Sequence, residues 1–290
     1  MTFDHIEAFL RPTSIQEAVR LLNREGRRAC LVTGGTEVVV QKNRAIRTLV
    51  DVSRLGLCYI RRKGSGWAIG AATTMTALEE SRQIREFADG ILATAASTCG
   101  SIQIRNMATV GGNLANASPA ADTATPLLAL DASAVLASSR GRRRVALTEF
   151  FLGPNRTILQ DALLVEILIP GLPRGGRTGW SFQKLGRTES DISIVNAAAG
   201  LQVGRSGKCT WARIALGAVA STPLRVRNAE AGLVGQQLTR NSIEAASEVV
   251  LKEIHPIDDL RASAEYHREM SVVLTRRALR ECAARAGHPL

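Results

Sequence analysis

Aromatic residues are scarce, only 4% of the 290 residues, too few for the stacking platforms that hold single-stranded nucleic acids. Cysteine is sparse as well: Cys30, Cys58, Cys99, Cys209 and Cys282 stand far apart. That scatter excludes a CxxC metal knuckle or a disulfide framework and fits a reducing compartment. Four histidines, His5, His255, His267 and His288, are isolated and lack metal-ligand spacing, so each is expected at the surface and no metal is expected in this chain. No apolar run approaches the roughly 18 residues of a spanning helix, and the opening MTFDHIEAFLRPTS lacks the basic start and apolar stretch of a secretory signal. A soluble, cytoplasmic protein without a membrane span is expected.

Positive charge is in excess, with a net +11. Gathered on one face, that charge would suggest nucleic acid. Instead it falls in small groups at 27–28, 61–63 and 140–144, and nucleic-acid binding is not expected. These groups read as solvated turns, SSRGRRRV as a hairpin tip, or as a contact surface for an acidic partner subunit.

Periodicity organises the rest. After an extended opening, Ser14 and Glu17 have capping-box spacing ahead of a helix over 14–25. ACLVT reads as a buried strand that breaks at Gly34-Gly35 before a second short element, EVVVQKN, and TLVDV as the next strand. A strand at 67–72 leads to a second capping box, Thr76 with Glu79, and two helices ending near Gly100. Residues 100–126, rich in Gly, Asn, Ser and Thr, show neither period and read as a long functional loop. A short helix, strands at 133–138 and 143–147 and the apolar run ALLVEILIP follow, and GLPRGGRTG suggests a domain boundary near 175. Beyond it, strands at 178–185, 194–203 and 209–219 precede helices at 241–253 and 263–285, an α+β order.

Two loops carry paired glycines: LVTGGTEV (Leu31, Val32, Thr33, Gly34, Gly35, Thr36, Glu37, Val38) and TVGGN (Thr109, Val110, Gly111, Gly112, Asn113). Paired glycines let successive backbone N–H groups converge on an anion, while Thr33, Thr36, Thr109 and Asn113 add side-chain donors. A pyrophosphate suits such a site. Neither loop matches GxGxxG or GxxxxGK[ST], which argues against a Rossmann or nucleotide-triphosphatase site. Glu37, whose charge would repel a phosphate, should point away from the anion or meet a donor.

Taken together, LVTGGTEV, SIQIRNMATVGGNLANASPAADTATPLLALDA and WSFQKLGRTESDISIVNAAAGL resemble the flavin subunit of the xanthine dehydrogenase and carbon monoxide dehydrogenase family of molybdenum hydroxylases. The resemblance covers nearly the whole chain, and the middle stretch is its most specific part because QIRN, VGGN and ASPAAD keep the family's order and spacing. It implies an α+β chain: a two-subdomain FAD-binding fold of the vanillyl-alcohol-oxidase and p-cresol-methylhydroxylase type over 1–175 (subdomains about 1–55 and 56–175), then a C-terminal α+β domain over 176–290. It further implies FAD bound here, 2Fe–2S clusters on a small partner subunit, molybdopterin on a large one, a dimer of heterotrimers, and NAD or another electron acceptor. The resemblance places both loops on the FAD phosphates, Asp122 as an acceptor to the cofactor, Leu164 where an apolar residue packs on flavin or adenine, and Lys184 where a lysine approaches the cofactor. For Leu164 the residues themselves favour core packing, and for Lys184 a strand lysine facing solvent is the alternative. Asp191 and Ile192 fall where the family passes the flavin's reactive edge, with Ile replacing an aromatic residue of some members. No cysteine cluster for an additional iron–sulfur cluster is present.

Electron relay is therefore the first reading, the substrate of the complex being a purine or other N-heterocycle. Carbon monoxide or an aldehyde is the alternative substrate. A self-sufficient flavin reductase, like the enzyme that reduces UDP-N-acetylenolpyruvylglucosamine, is a second reading, opposed by the middle stretch. A colourless nucleic-acid-binding or scaffold protein is the third.

Overall fold

The computed structural model describes residues 4–290; the first three residues of the extended opening lie outside them. β1 (Ala8–Leu10), β2 (Ala29–Val32) and β3 (Thr48–Asp51) form a parallel sheet in the order β1-β3-β2. α1 (Ile15–Glu25) starts where Ser14 Oγ accepts from the Glu17 amide at 3.1 Å. The expected box does not close, because the Glu17 carboxylate accepts from the amide and hydroxyl of Thr13 at 2.7 and 2.9 Å. Ala18 and Val19 of α1 pack with Val50 and Val52 and with Leu163 and Val165, seating the helix on a second sheet.

That second sheet is antiparallel, formed by β4 (Ile60–Lys63), β5 (Gly66–Gly70), β6 (Ser133–Ser138), β7 (Gly141–Ala146) and, after the small hairpin β8 (Phe151–Gly153) and β9 (Arg156–Thr157), β10 (Leu163–Ile169). Its order is β4-β5-β10-β6-β7. SSRGRRRV is the β6–β7 hairpin, Ser138 facing Gly141. β10 is central and buried at every position, α1 covering Leu163 and Val165 and the main core covering Leu164 and Ile167. A continuous apolar run is what a strand covered on both faces requires. Its one charged residue, Glu166, accepts from Tyr59 Oη at 2.7 Å, Lys63 Nζ at 3.0 Å and Arg61 Nη2 at 3.1 Å. Burial works to raise the Glu166 carboxyl, but these donors outweigh it and hold the group below its ordinary value. Burial and the bond to Glu166 push the Tyr59 phenol up to about 12.

Six short helices separate β5 from β6: α3 (Met75–Glu80), α4 (Arg82–Glu86), α5 (Ile91–Ser97), α6 (Ile102–Met107), α7 (Val110–Asn116) and α8 (Ala124–Ala129). The first cap is Thr74, whose hydroxyl accepts from the Ala77 amide, while Thr76 donates to Asn106 Oδ1 and forms no box with Glu79. The stretch over 100–126, expected as a structureless loop, contains α6, α7 and the start of α8. Helices of six or seven residues display too few apolar positions to reveal a period and take their stability from caps and packing. Ser101 and Thr109 provide two of those caps.

β11 (Arg177–Leu185), β12 (Val195–Val203), β13 (Cys209–Gly217) and β14 (Leu224–Arg225) form an antiparallel sheet in that order. α9 (Arg227–Leu233), which the sequence reading missed, α10 (Arg240–Val249) and the long α11 (Ala264–Arg285) complete the chain. β12 alternates between two cores: Ala197, Ala199 and Leu201 pack with the residues of α11, whereas Ala198, together with Trp180 and Phe182 of the neighbouring β11, joins the core of the preceding helices. Small side chains permit this close stacking, since a Cβ at Gly179 would lie 1.9 Å from Cys282 O of α11. Both faces of this sheet are thus covered, and the face opposite α11 meets α5 and α8.

Candidate cofactor site

β2 ends at Val32, and the chain turns through Thr33, Gly34 and Gly35 into α2 (Thr36–Gln41). Gly35 has φ of 69°, a left-handed conformation that suits glycine. Gly34 is required for closeness instead: a Cβ there would fall 1.7 Å from Met107 O at the end of α6. Among the described residues, the amides of Thr33, Gly34, Gly35 and Thr36 find no acceptor in the chain. Leu31, Val32 and Val38 are half-buried behind them, and Glu37 is exposed.

The second loop differs from expectation. Val110 N donates to Thr73 O, Gly111 N to Ala71 O and Asn113 N to Thr109 O, each at 2.9 Å, and Gly112 N to Thr109 Oγ1 at 3.1 Å. Those four amides are occupied in starting α7 and docking it on the turn after β5, so among the described residues it is the first loop that presents a run of unpaired N–H groups. Gly111 is needed for packing, a Cβ falling 2.5 Å from Ala71 O, whereas Gly112 is exposed and its Cβ would meet only Thr109 Oγ1. Gly112 leaves a bare stretch of backbone, with the Thr109 hydroxyl and the Asn113 amide beside it.

Three contacts join the loops into one surface. Gly34 abuts Met107; Gln41 Nε2 donates to Asn116 Oδ1 at 2.7 Å; and Thr123 Oγ1 donates to Asn113 Oδ1 at 2.6 Å, next to Asp122. Val39, Val40, Ile102, Ile104 and Met107, on the adjoining α2 and α6, are exposed large apolar residues, Val40 to 74%. Sequence reading missed them because their helices had not been recognised. Exposed apolar groups gathered around polar loops mark a binding surface.

Asp122 and Lys184 meet in the interior, both side chains only 8% exposed. Lys184 Nζ donates to Asp122 Oδ2 and to Thr98 O, each at 2.7 Å, so the solvent-facing alternative is wrong. The alternation of β11 puts Lys184 on the same face as Trp180 and Phe182, toward the preceding helices. Asp122 Oδ1 accepts from Ser193 Oγ at 2.5 Å and from Asn196 Nδ2 at 3.0 Å. Burial pushes the Asp122 carboxyl above its ordinary value, and Lys184, Ser193 and Asn196 pull it back. Burial likewise raises the Cys99 thiol, 3.9 Å from Asp122 Oδ2.

Ser193 and Asn196 escaped the sequence reading, although an asparagine in the otherwise nonpolar start of VNAAAGLQV was a signal that could have found them. Leu164 lies elsewhere, in the core under β10. Asp191 is half-buried and accepts from Arg187 Nε at 3.2 Å, while Ile192 is 65% exposed. His267, expected at the surface, is 1% exposed, its Nε2 3.6 Å from Asp259 Oδ1. The spacing of the α11 residues hid this, since Ser271 and Thr275, buried on the same helix, make that buried stripe look polar. A recess of about 510 Å³ lined by Arg140, Arg142 and Arg143 shares no residue with either loop.

This arrangement fits FAD. Unpaired amides at a glycine turn suit a pyrophosphate, the bare backbone at Gly112 permits close approach, and the exposed apolar residues match a flat ring system. Residues 2–172 match the family described as the FAD binding domain in molybdopterin dehydrogenase, and residues 180–282 match the CO dehydrogenase flavoprotein C-terminal domain. Fold and site thus define a flavin-binding subunit of the oxidoreductase class. The chain is 34% identical to the putative xanthine dehydrogenase FAD-binding subunit of Escherichia coli K12, over 98% of each protein. It is also 34% identical to subunit alpha of the 6-hydroxypseudooxynicotine dehydrogenase complex of Paenarthrobacter nicotinovorans, over 98% of this chain and 96% of that one. A solved carbon monoxide dehydrogenase structure from Hydrogenophaga pseudoflava, lacking the Mo-pyranopterin moiety of its cofactor, superposes with a TM-score of 0.91 at 34% identity, over 97% of this chain and 98% of that one. The chain belongs to the FAD-binding subunits of the xanthine dehydrogenase and carbon monoxide dehydrogenase family of molybdenum hydroxylases.

Proposed function

We propose that this chain is the electron-relay subunit of a cytoplasmic molybdenum hydroxylase, with residues 1–175 holding FAD and 176–290 closing the site. Its partners in this reading are a small subunit with 2Fe–2S clusters and a large subunit with molybdopterin, paired as a dimer of heterotrimers. Electrons taken from the clusters pass to NAD or another acceptor, and the substrate of the complex is a purine or other N-heterocycle. Names such as xanthine and 6-hydroxypseudooxynicotine dehydrogenase among equally similar relatives support that substrate class. Carbon monoxide is the second reading, supported by the carbon monoxide dehydrogenase superposition.

The observation that carries the relay reading is the continuous run of contacts from Gly34 through Met107, and from Asn116 and Asn113 through Thr123, to Asp122 and Lys184. Such a run suits one elongated ligand. The amides and hydroxyls of Thr33 and Thr36, with the amides of Gly34 and Gly35, hold the pyrophosphate; Thr109, Gly112 and Asn113 complete that cradle. Leu31, Val32, Val38, Val110 and Gly111 shape the loops from behind, Glu37 stays clear of the phosphates, and Leu164 supports the site from the core. Bound FAD supplies a redox carrier that the side chains themselves lack. Lys184 places a cation where it would stabilise negative charge gained on reduction, and Asp122 keeps that cation in place.

Affinity purification of the chain from its native host tests the assembly. Two further subunits should co-purify, one with iron–sulfur absorption, and adding a purine or pyridine substrate anaerobically should bleach the flavin. A lone chain that turns over an organic substrate unaided contradicts the relay, and bleaching by carbon monoxide but by no heterocycle selects the second reading.

A further inference from the structure

Asn196 stands at the centre of a cross-strand row, facing Lys184 on β11 and Gly217 on β13. It is fully buried where the sheet meets α8. Its amide has two ends of opposite chemistry. Nδ2 donates to Asp122 Oδ1 at 3.0 Å and to Ser193 Oγ at 3.2 Å, and Oδ1 accepts from Thr125 Oγ1 of α8 at 2.6 Å. The opposite amide orientation would set an oxygen against the carboxylate, so the Asp122 side fixes which end is which and leaves the Thr125 hydroxyl as the necessary donor. Gly217 keeps this space open: a Cβ there would fall 2.3 Å from Asn196 Oδ1 and 2.8 Å from Thr125 Oγ1. Ser193, the second donor to Asp122 Oδ1, is itself tethered through its carbonyl, which accepts from Arg261 Nη1 at 3.0 Å.

The two carboxylate oxygens therefore have separate duties. Oδ1 is filled by Ser193 and Asn196; Oδ2 takes Lys184 and beyond it meets only the weak Cys99 thiol donor, 3.9 Å away. We propose that Asn196 is a positioning residue, oriented by Thr125 and given room by Gly217, that fixes the rotation of the Asp122 carboxylate so that Oδ2 and Lys184 meet the flavin. This rests on the reading of Asp122 and Lys184 as cofactor neighbours. The residues act only through hydrogen bonds, and no covalent step is involved.

Flavin binding to the full-length chain, followed by fluorescence and by the visible spectrum of bound FAD, tests the assignment. Thr125→Val and Asn196→Ala should each weaken FAD binding at least tenfold and shift the visible band. Thr125→Ser, which retains the hydroxyl, should bind within about twofold of the parent. In the cofactor-free chain, Thr125→Val and Asn196→Ala combined should destabilise less than the sum of the two, because both remove one relay. Should Thr125→Val not fold, Ser193→Ala, which removes the other donor to the same oxygen, is read by the same criterion. Parent-like FAD binding and spectrum in Thr125→Val and Asn196→Ala, a Thr125→Ser variant as weak as Thr125→Val, or strictly additive destabilisation would each overturn the proposal. A parent chain that binds no FAD overturns instead the reading on which it rests.

Discussion

A Cβ at Gly34 would lie 1.7 Å from a backbone oxygen, whereas one at Gly112 would touch only a hydroxyl at 3.1 Å. The same residue type thus answers two needs, close packing and open access. Gly34→Ala should lower stability by about 2 kcal/mol through overpacking, measured by urea unfolding. Gly112→Val should leave the unfolding midpoint near that of the parent and weaken FAD binding at least tenfold, measured by flavin fluorescence. The buried pair gives a second contrast. Asp122→Asn or Lys184→Met alone leaves an unpaired group inside and should destabilise by about 3 kcal/mol. The double variant should be more stable than the sum of the two losses implies, and simple additivity would show that the pair is not coupled.

At the scale of elements, β10 depends on Glu166. Its carboxyl is held low in the folded chain, so the stabilisation is present above the ordinary carboxyl value and is lost as pH falls through the lower folded value. Glu166→Gln should therefore destabilise by about 1–2 kcal/mol at neutral pH, and thermal unfolding followed downward in pH should find the gap closing below about pH 4. A gap independent of pH would mean that charge is not what Glu166 contributes. The sequence announced β10, β12 and β13 because a predominantly apolar run of seven to nine residues between turn residues has few other uses. It concealed α6 and α7, whose starts are set by single hydroxyls at Ser101 and Thr109, and it put the cap of α3 at Thr76 where Thr74 serves. The site followed the same division. Its glycines could be read directly, but the occupied amides of Val110 and Gly111 and the bonds of Asn196 to Thr125 and Asp122 depend on partners 37 to 74 residues away in the chain, which local pattern does not reveal.

Across the whole molecule, the helices that carry the second loop and Asp122 lie between two sheets, the five-stranded one behind the second loop and the four-stranded one supplying Lys184 and Asn196, while the glycine turn comes from the small parallel sheet at β2. The cofactor residues are therefore assembled by packing across most of the chain. Among the described residues no helix is long and apolar enough to cross a membrane. Equilibrium binding of FAD to the purified, cofactor-stripped chain, compared with Gly35→Val/Gly112→Val, tests directly whether both glycine loops hold the flavin. The parent should take up one FAD per chain with a flavin absorption spectrum, and the double variant should bind at least a hundredfold more weakly while remaining folded. Parent protein that stays colourless after reconstitution, or a folded double variant that binds as the parent does, would contradict it.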